Sequence, residues 1–324
     1  MMENKRVDVR RRRKQGLRIC LLLFMIISQL SLVHSQEFSG QVLNSKTEQP
    51  IAYVSIGIPA LAAGILSDEE GRFQITLQSI ADTDTLHFSI IGYSSAKMAV
   101  SDFKNAAADA GILIYLNEKS YSLKEVSVRP RNLKFKTMGK TKSKLKRDDC
   151  FLLYTFLDTL QGYMVSKKHI QDFPNKHIEI GSYFNIKPRE TFIEKVNLQF
   201  CDWKFDSIKL RLNVYSNFGS SEQKVVRFDN NDKITVLNTP IYFTVTKGTE
   251  NYEIDLKPYS IKVTNDFVVS IETLEPQDCH KLLLPCYLFS SGPDMVYRYN
   301  HEQNYFYKLA VIKLALSVTM GYEK

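Results

Sequence analysis

The chain has 324 residues, 44% of them hydrophobic and 24% charged, with a formal net charge of +8. That hydrophobic share, with 17 Tyr and 19 Phe against 14 Gly and 10 Pro, excludes a disordered or collagen-like polymer. The charge does not mark a nucleic-acid binder: residues 1–18 hold eight bases and two acids and residues 19–35 none, so Gln36 onward keeps only +2.

In chain order, the basic N-terminus precedes the apolar run "ICLLLFMIISQLSLV" (Ile19–Val33) and then "VHS" before Gln36. This pattern predicts a secretory signal peptide over residues 1–35, cut after Ser35. The run falls short of the roughly 20 apolar residues of a stable span, and Ser28, Gln29 and Ser31 interrupt it. An uncleaved anchor is the alternative. Cys20 opens the run rather than closing it, which argues against lipidation. Cys150, Cys201, Cys279 and Cys286 remain, without any CxxC, which disfavours a zinc ribbon or a thioredoxin-like site. Cys279 and Cys286, in "CHKLLLPC", either close a short disulfide loop in an oxidising compartment or stay buried as two thiols.

Residues 36–128 read as short strands at close spacing: "FSGQVL", "AYVSIGI", "GRFQITL", "TLHFSII", "ILIYL" and "KEVSV". In "RFQITLQ", Phe73, Ile75 and Leu77 alternate with Gln74, Thr76 and Gln78, giving one buried and one wet face. Strands in such succession predict an antiparallel sandwich. "SDFKNAAADAG" (Ser101–Gly111) is the candidate short helix. The acidic cluster in "GILSDEEGRFQI" does not fit a calcium loop, which needs acids at alternating positions and a Glu well past the glycine. Asp68, Glu69 and Glu70 are contiguous, and neighbouring side chains on an extended chain diverge. A hairpin bend accounts for the same residues, with Gly71 supplying a positive φ and Phe73 re-entering the core.

Five pieces occur in order: Gly40/Val42; Thr47/Pro50/Tyr53; Asp68/Gly71/Arg72/Phe73; Ile91/Gly92/Tyr93; and Leu123/Glu125/Val126/Val128. Together they resemble the carboxypeptidase regulatory-like family. The resemblance implies a transthyretin-like, seven-stranded β-sandwich without catalytic activity. Such domains trail metallocarboxypeptidase catalytic domains or precede the plug of TonB-dependent outer-membrane receptors.

Residues 129–149, "RPRNLKFKTMGKTKSKLKRDD", carry nine bases from Arg129 to Arg147 with no acid among them. They read as a basic linker or charged edge strand, with peripheral contact to an anionic membrane or polysaccharide as the alternative. Limited aromatic interleaving and an exported chain speak against nucleic acid. Residues 150–324 form a second, larger unit of alternating strands, read as a β-sandwich with a jelly roll as the candidate arrangement. In "SIKLRLNVYS", Ile208, Leu210, Leu212 and Val214 are expected inward, and Lys209, Arg211 and Asn213 toward water. This unit resembles the uncharacterised β-domain that follows the regulatory-like module in exported proteins of Bacteroidetes-type bacteria, a likeness that implies no activity. The expected fold class is therefore all-β, two sandwiches in series.

No catalytic, cofactor-binding or metal residues emerge. "HSQE" (His34–Glu37) mimics a carboxypeptidase zinc motif but straddles the signal cleavage. "GKT" (Gly139–Thr141) ends like a phosphate loop, but Lys134 stands where its first glycine belongs. His177 and Glu179 share one strand face, with His169 or His301 as conceivable third ligands; an exposed face is the simpler reading. Asp255, Asp266 and Glu272 are candidates for a glycosidase pair if the fold brings two within about 5–9.5 Å. Trp203 and the tyrosines of "MVYRYNHEQNYFY" (Met295–Tyr307) are read as ordinary core and edge aromatics, with a sugar- or peptide-stacking surface as the alternative. The expected function is an exported, non-catalytic binding or scaffold protein of the periplasm or outer membrane, recognising an envelope protein, peptide or glycan. The alternatives are a hydrolase with its site in the second unit, and an accessory subunit of a TonB-dependent uptake system.

Overall fold

Seven strands and one helix build the N-terminal module: β1 (Glu37–Asn44), β2 (Ser55–Ile58), β3 (Ala63–Leu66), β4 (Arg72–Thr76), β5 (Thr85–Ser89), β6 (Ala96–Ala99), α1 (Val100–Ala107) and β7 (Ile112–Leu116). The computed structural model describes residues 37–61, 63–77, 80–107, 111–119, 132–141, 150–151, 178–201, 205–216, 218–221, 225–228, 234–275, 282, 284–298 and 305–323. The expected signal peptide, the Leu123–Val128 motif, most of the basic stretch, Cys279, His169, His177, His301 and Trp203 lie outside these residues.

The strands form two sheets, ordered β4-β1-β7 and β3-β2-β5-β6, which is the seven-stranded sandwich expected. Alternation in β4 buries Phe73 and Ile75 and leaves Arg72 and Gln74 exposed. Helix α1, the expected short helix, drops Phe103 into the core beside Phe38, Phe73 and Phe88, with ring centroids 5.9, 6.2 and 6.4 Å away. A Cβ at residue 40 would lie 2.4 Å from the Phe73 ring, so the opening glycine of the motif is what lets that ring rest on β1.

The second module comprises β8 (Leu133–Gly139), β9 (Cys150–Phe151), β10 (Glu179–Phe184), β11 (Thr191–Gln199), β12 (Ser207–Ser216), β13 (Phe218–Ser221), β14 (Val225–Phe228), β15 (Ile234–Thr235) and β16 (Ile241–Thr246). It continues with β17 (Asn251–Asp255), β18 (Lys262–Val263), β19 (Phe267–Thr273), β20 (Leu284–Leu288), β21 (Asp294–Arg298), β22 (Tyr305–Leu309), β23 (Ile312–Leu314) and β24 (Leu316–Glu323). A nine-stranded sheet runs β13-β14-β22-β21-β10-β19-β12-β15, with β16 also on β12. A five-stranded sheet runs β17-β11-β24-β8, with β18 on β11, and β23-β20-β9 make a third. Leu210, Leu212, Val269 and Ile271 of the large sheet pack against Val196, Leu198, Val318 and Met320 of the five-stranded one in one core.

Strand β8 falls inside the basic stretch. Leu133–Gly139 pairs along its whole length with β24, so these residues are a charged edge strand of the second module rather than a linker. Lysines on an edge discourage further strand addition. Phe38–Lys324 is one compact unit, and Ile91 of the N-terminal module is buried in the second module's core.

Candidate functional site

Four adjacent strands of the large sheet place four charges in one cross-strand row. Arg211 of β12 stands opposite Glu272 of β19, Glu272 opposite Glu179 of β10, and Glu179 opposite Arg298 of β21. All four are buried, with relative exposures of 2%, 1%, 0% and 0% in that order. Charges removed from water persist only when paired and hydrogen-bonded, and here each carboxylate has its own guanidinium. Arg211 donates to Glu272 Oε2 from Nε (3.1 Å) and Nη2 (2.7 Å), and Arg298 Nε donates to Glu179 Oε2 at 2.6 Å. Asn213 bridges the two acids, its amide donating to Glu179 Oε1 at 2.9 Å and to Glu272 Oε2 at 3.1 Å. Arg298 also donates to the Tyr215 hydroxyl at 2.7 Å. Burial pushes that phenol well above its ordinary value, against the pull of Arg298. Burial is the largest influence on Arg211 and opposes its cation, but Glu272, through its charge and its hydrogen bond, together with Tyr242 and Tyr215, more than offsets it and raises the guanidinium above its ordinary value.

The row ends at the N-terminal module. Arg211 Nη1 donates to the carbonyl of Tyr53 at 3.1 Å. Tyr53 takes a φ of +57°, a left-handed conformation that an aromatic residue adopts only where its surroundings impose it. Its ring lies 5.5 Å from Tyr242, and its hydroxyl donates to Glu69 at 2.9 Å. Lys209 also bonds Glu69. That lysine and the Tyr53 hydroxyl lower the Glu69 pKa, while burial and then the Glu69 bond push the Tyr53 phenol up. The acidic bend is therefore a docking element. Asp68 Oδ1 accepts from the Arg72 amide at 2.7 Å and closes the turn, and Glu69 reaches across to β12.

Beside this seam lies an open cleft of about 890 Å3, lined by Ser39, Gln41, Asp68, Arg72, Gln74 and Leu113 of the first module and by Leu274 and Glu275 of the second. The volume lies within the range of small-molecule and peptide sites. Arg72 and Gln74 are exposed, and no hydrogen bond or ion pair to their side chains is formed among the described residues. Gln41, by contrast, is fixed to the Glu70 carbonyl at 2.8 Å.

The residues singled out from the sequence fare differently. Arg211, Asn213 and Glu179, expected on wet faces, are buried, because this face of the sheet is covered and the charges neutralise one another. Asp266 anchors the loop after β10, accepting from Tyr183, from Asn185 Nδ2 at 3.0 Å and from the Ile186 amide at 2.9 Å. It stands just before β19, six residues from Glu272 on that strand, roughly 20 Å at about 3.3 Å per residue of extended chain, beyond the spacing of a glycosidase pair. Asp255 closes a turn in the other sheet, accepting from the Lys257 amide at 3.1 Å. Of Met295–Tyr307, Tyr297 and Phe306 are core residues, and Tyr305 and Tyr307 sit half-buried with their hydroxyls 3.2 Å apart. Cys286 is buried as a thiol facing the Leu284 carbonyl at 3.6 Å, so it does not close a loop with Cys279. Cys201 is disulfide-bonded. Among the described residues no group of three or more His, Cys, Asp or Glu is placed to hold a metal ion.

Fold and site define an all-β chain in which a small sandwich is latched to a larger one, with a cleft at the junction. Residues 38–145, about a third of the chain, match the family model of the CarboxypepD_reg-like domain, a domain of non-catalytic regulatory or binding type. The match extends through β8. None of the curated proteins matches the chain. Among solved structures, the cysteine protease and lectin-like domains of Cwp84, a surface layer associated protein of Clostridium difficile, are similar over 45% of this chain at 8% identity, with a TM-score of 0.32. The likeness spans 32% of that chain and carries no argument about fold or function.

Proposed function

We propose that the protein is an exported binding or scaffold component of the cell envelope, with no catalytic act of its own, and that it holds an envelope protein, peptide or glycan in the cleft at the module junction. The observation that carries this reading is a cleft of about 890 Å3 that both modules line, with the exposed Arg72 and Gln74 side chains in its lining unpaired among the described residues. The latch supports it: a site shared by two modules keeps its shape only if the modules are fixed, and Arg211, Lys209 and Ile91 fix them. The leader-like N-terminus and the disulfide at Cys201 agree with an oxidising compartment outside the cytoplasm.

The test compares the full chain with Arg72→Glu as baits for envelope extracts and for solubilised peptidoglycan fragments. A defined species retained by the parent and lost by the variant, at unchanged melting temperature, is the expected result. Equal retention by both proteins would remove the cleft from the account. Turnover of the fragments, abolished by changing one acid, would replace binding by hydrolysis.

A further inference from the structure

A second, smaller cavity of about 350 Å3 lies on the far module, away from the cleft residues, where β8, the loop after β10 and β24 meet. Three cations line it: Lys136 from β8, and Lys187 and Arg189 from the loop. No carboxylate among the described residues lines it. Among the described residues none of the three cationic groups forms an ion pair or a hydrogen bond to a protein acceptor. Two acids near it in the chain or the fold are committed elsewhere: Glu190 to Lys262 at 2.9 Å, and Asp266 to Tyr183, Asn185 and the Ile186 amide. The other exposed pairs of this module, such as Lys195 with Glu253 at 2.9 Å, show that its lysines take carboxylate partners where one is in reach.

The cavity is also shaped. Arg189 lies 3.3 Å over the ring of Tyr322, a stacking that holds the guanidinium while leaving its in-plane donors unused. The Arg189 backbone is pinned on both sides, its amide donating to the Thr264 carbonyl at 2.9 Å and its carbonyl accepting from Thr191 at 3.2 Å. Lys136 sits opposite Met320 in the β8–β24 ladder, and Met138 and Met320 supply apolar wall. Three like charges around one concavity repel each other, and an oxyanion among them relieves that repulsion and gains charge-assisted hydrogen bonds.

We infer that the cavity lined by Lys136, Lys187 and Arg189 is a binding site for a phosphate- or carboxylate-bearing group of about monosaccharide size. Its volume stands at the lower end of ligand sites, and its combination of one stacked guanidinium, two exposed lysines and a thioether wall suits an anionic sugar rather than a bare ion. It is independent of the cleft, so its ligand is a second one.

The experiment is calorimetric titration of the full chain with glucose 6-phosphate, glucuronate and glucose at about physiological ionic strength, where exposed charge–charge attraction is screened beyond roughly 8 Å. Saturable binding of at least one anionic sugar, at least about tenfold tighter than glucose, is expected. Lys187→Gln, whose side chain supports nothing else among the described residues, should weaken that binding by about tenfold, and Lys187→Gln with Lys136→Gln should abolish it. The two charged probes separate phosphate from carboxylate preference, and either preference supports the site. No binding of either, or binding unchanged in the double variant, overturns it. Arg72→Glu should leave this binding intact, which distinguishes it from the cleft.

Discussion

Gly71 takes a φ of +71°, and a Cβ there would lie 2.6 Å from the Val42 carbonyl oxygen and 2.9 Å from that of Ile51. Gly71→Val adds left-handed strain to a backbone clash and is expected to cost about 1–3 kcal/mol or more, read as a lower urea midpoint. This residue was legible in the sequence, because a glycine between an acidic bend and a re-entering phenylalanine has few other reasons to be there. Tyr53 was not: nothing local announces that an aromatic in "AYVSI" adopts a φ of +57°, since its partner Arg211 lies in the other module. The phenols also set a pH dependence. Burial raises Tyr53, Tyr215 and Tyr242 above their ordinary value of 10.0. The folded chain thus holds these protons more tightly than the unfolded chain does. Their contribution to stability is fully present below about pH 10 and declines as pH rises past that value. Urea midpoints should fall on the alkaline side, and Tyr215→Phe should fall less steeply than the parent.

At the scale of elements, the charge row is a register device. Slipping β10, β12, β19 or β21 by one residue would turn its charge onto the hydrophobic face and unpair its neighbours. Arg298→Ala leaves Glu179 buried without its cation and should cost about 3–5 kcal/mol. The double variant Arg298→Met with Glu179→Gln should recover much of that loss in a denaturation cycle, since it removes both charges together. Equal losses in the single and double variants would mean that the pair is not coupled. The alternation of "SIKLRLNVYS" correctly gave β12 and its apolar face, but it sent Arg211 and Asn213 to water. Period-two patterning shows which residues share a face and says nothing about whether a second layer covers the polar one. Four paired charges carried on four strands, far apart in the chain, leave no local signature.

At the scale of the whole molecule, the core of the first module and the main core of the second share one boundary. The first core was readable because its motifs are contiguous and each ties a turn to a strand. The seam was not, because Ile91, Glu69 and Tyr53 meet their partners only after the second sheet has formed. Scanning calorimetry of the full chain should give one cooperative transition rather than two. Ile91→Asp, which places a charge in the shared boundary, should split it, with the two modules melting separately. Folding order follows from one further arrangement. Strand β24 lies between β11 and β8, its partners in the middle and early parts of the chain. During synthesis, therefore, both wait with open sides until residues 316–323 have emerged, and such exposed rims recruit neighbouring chains. The N-terminal sandwich has no comparable delay. A nascent chain should need a holding chaperone for its second half only, and depletion of that helper should yield aggregates in which residues 38–116 are already protease-resistant.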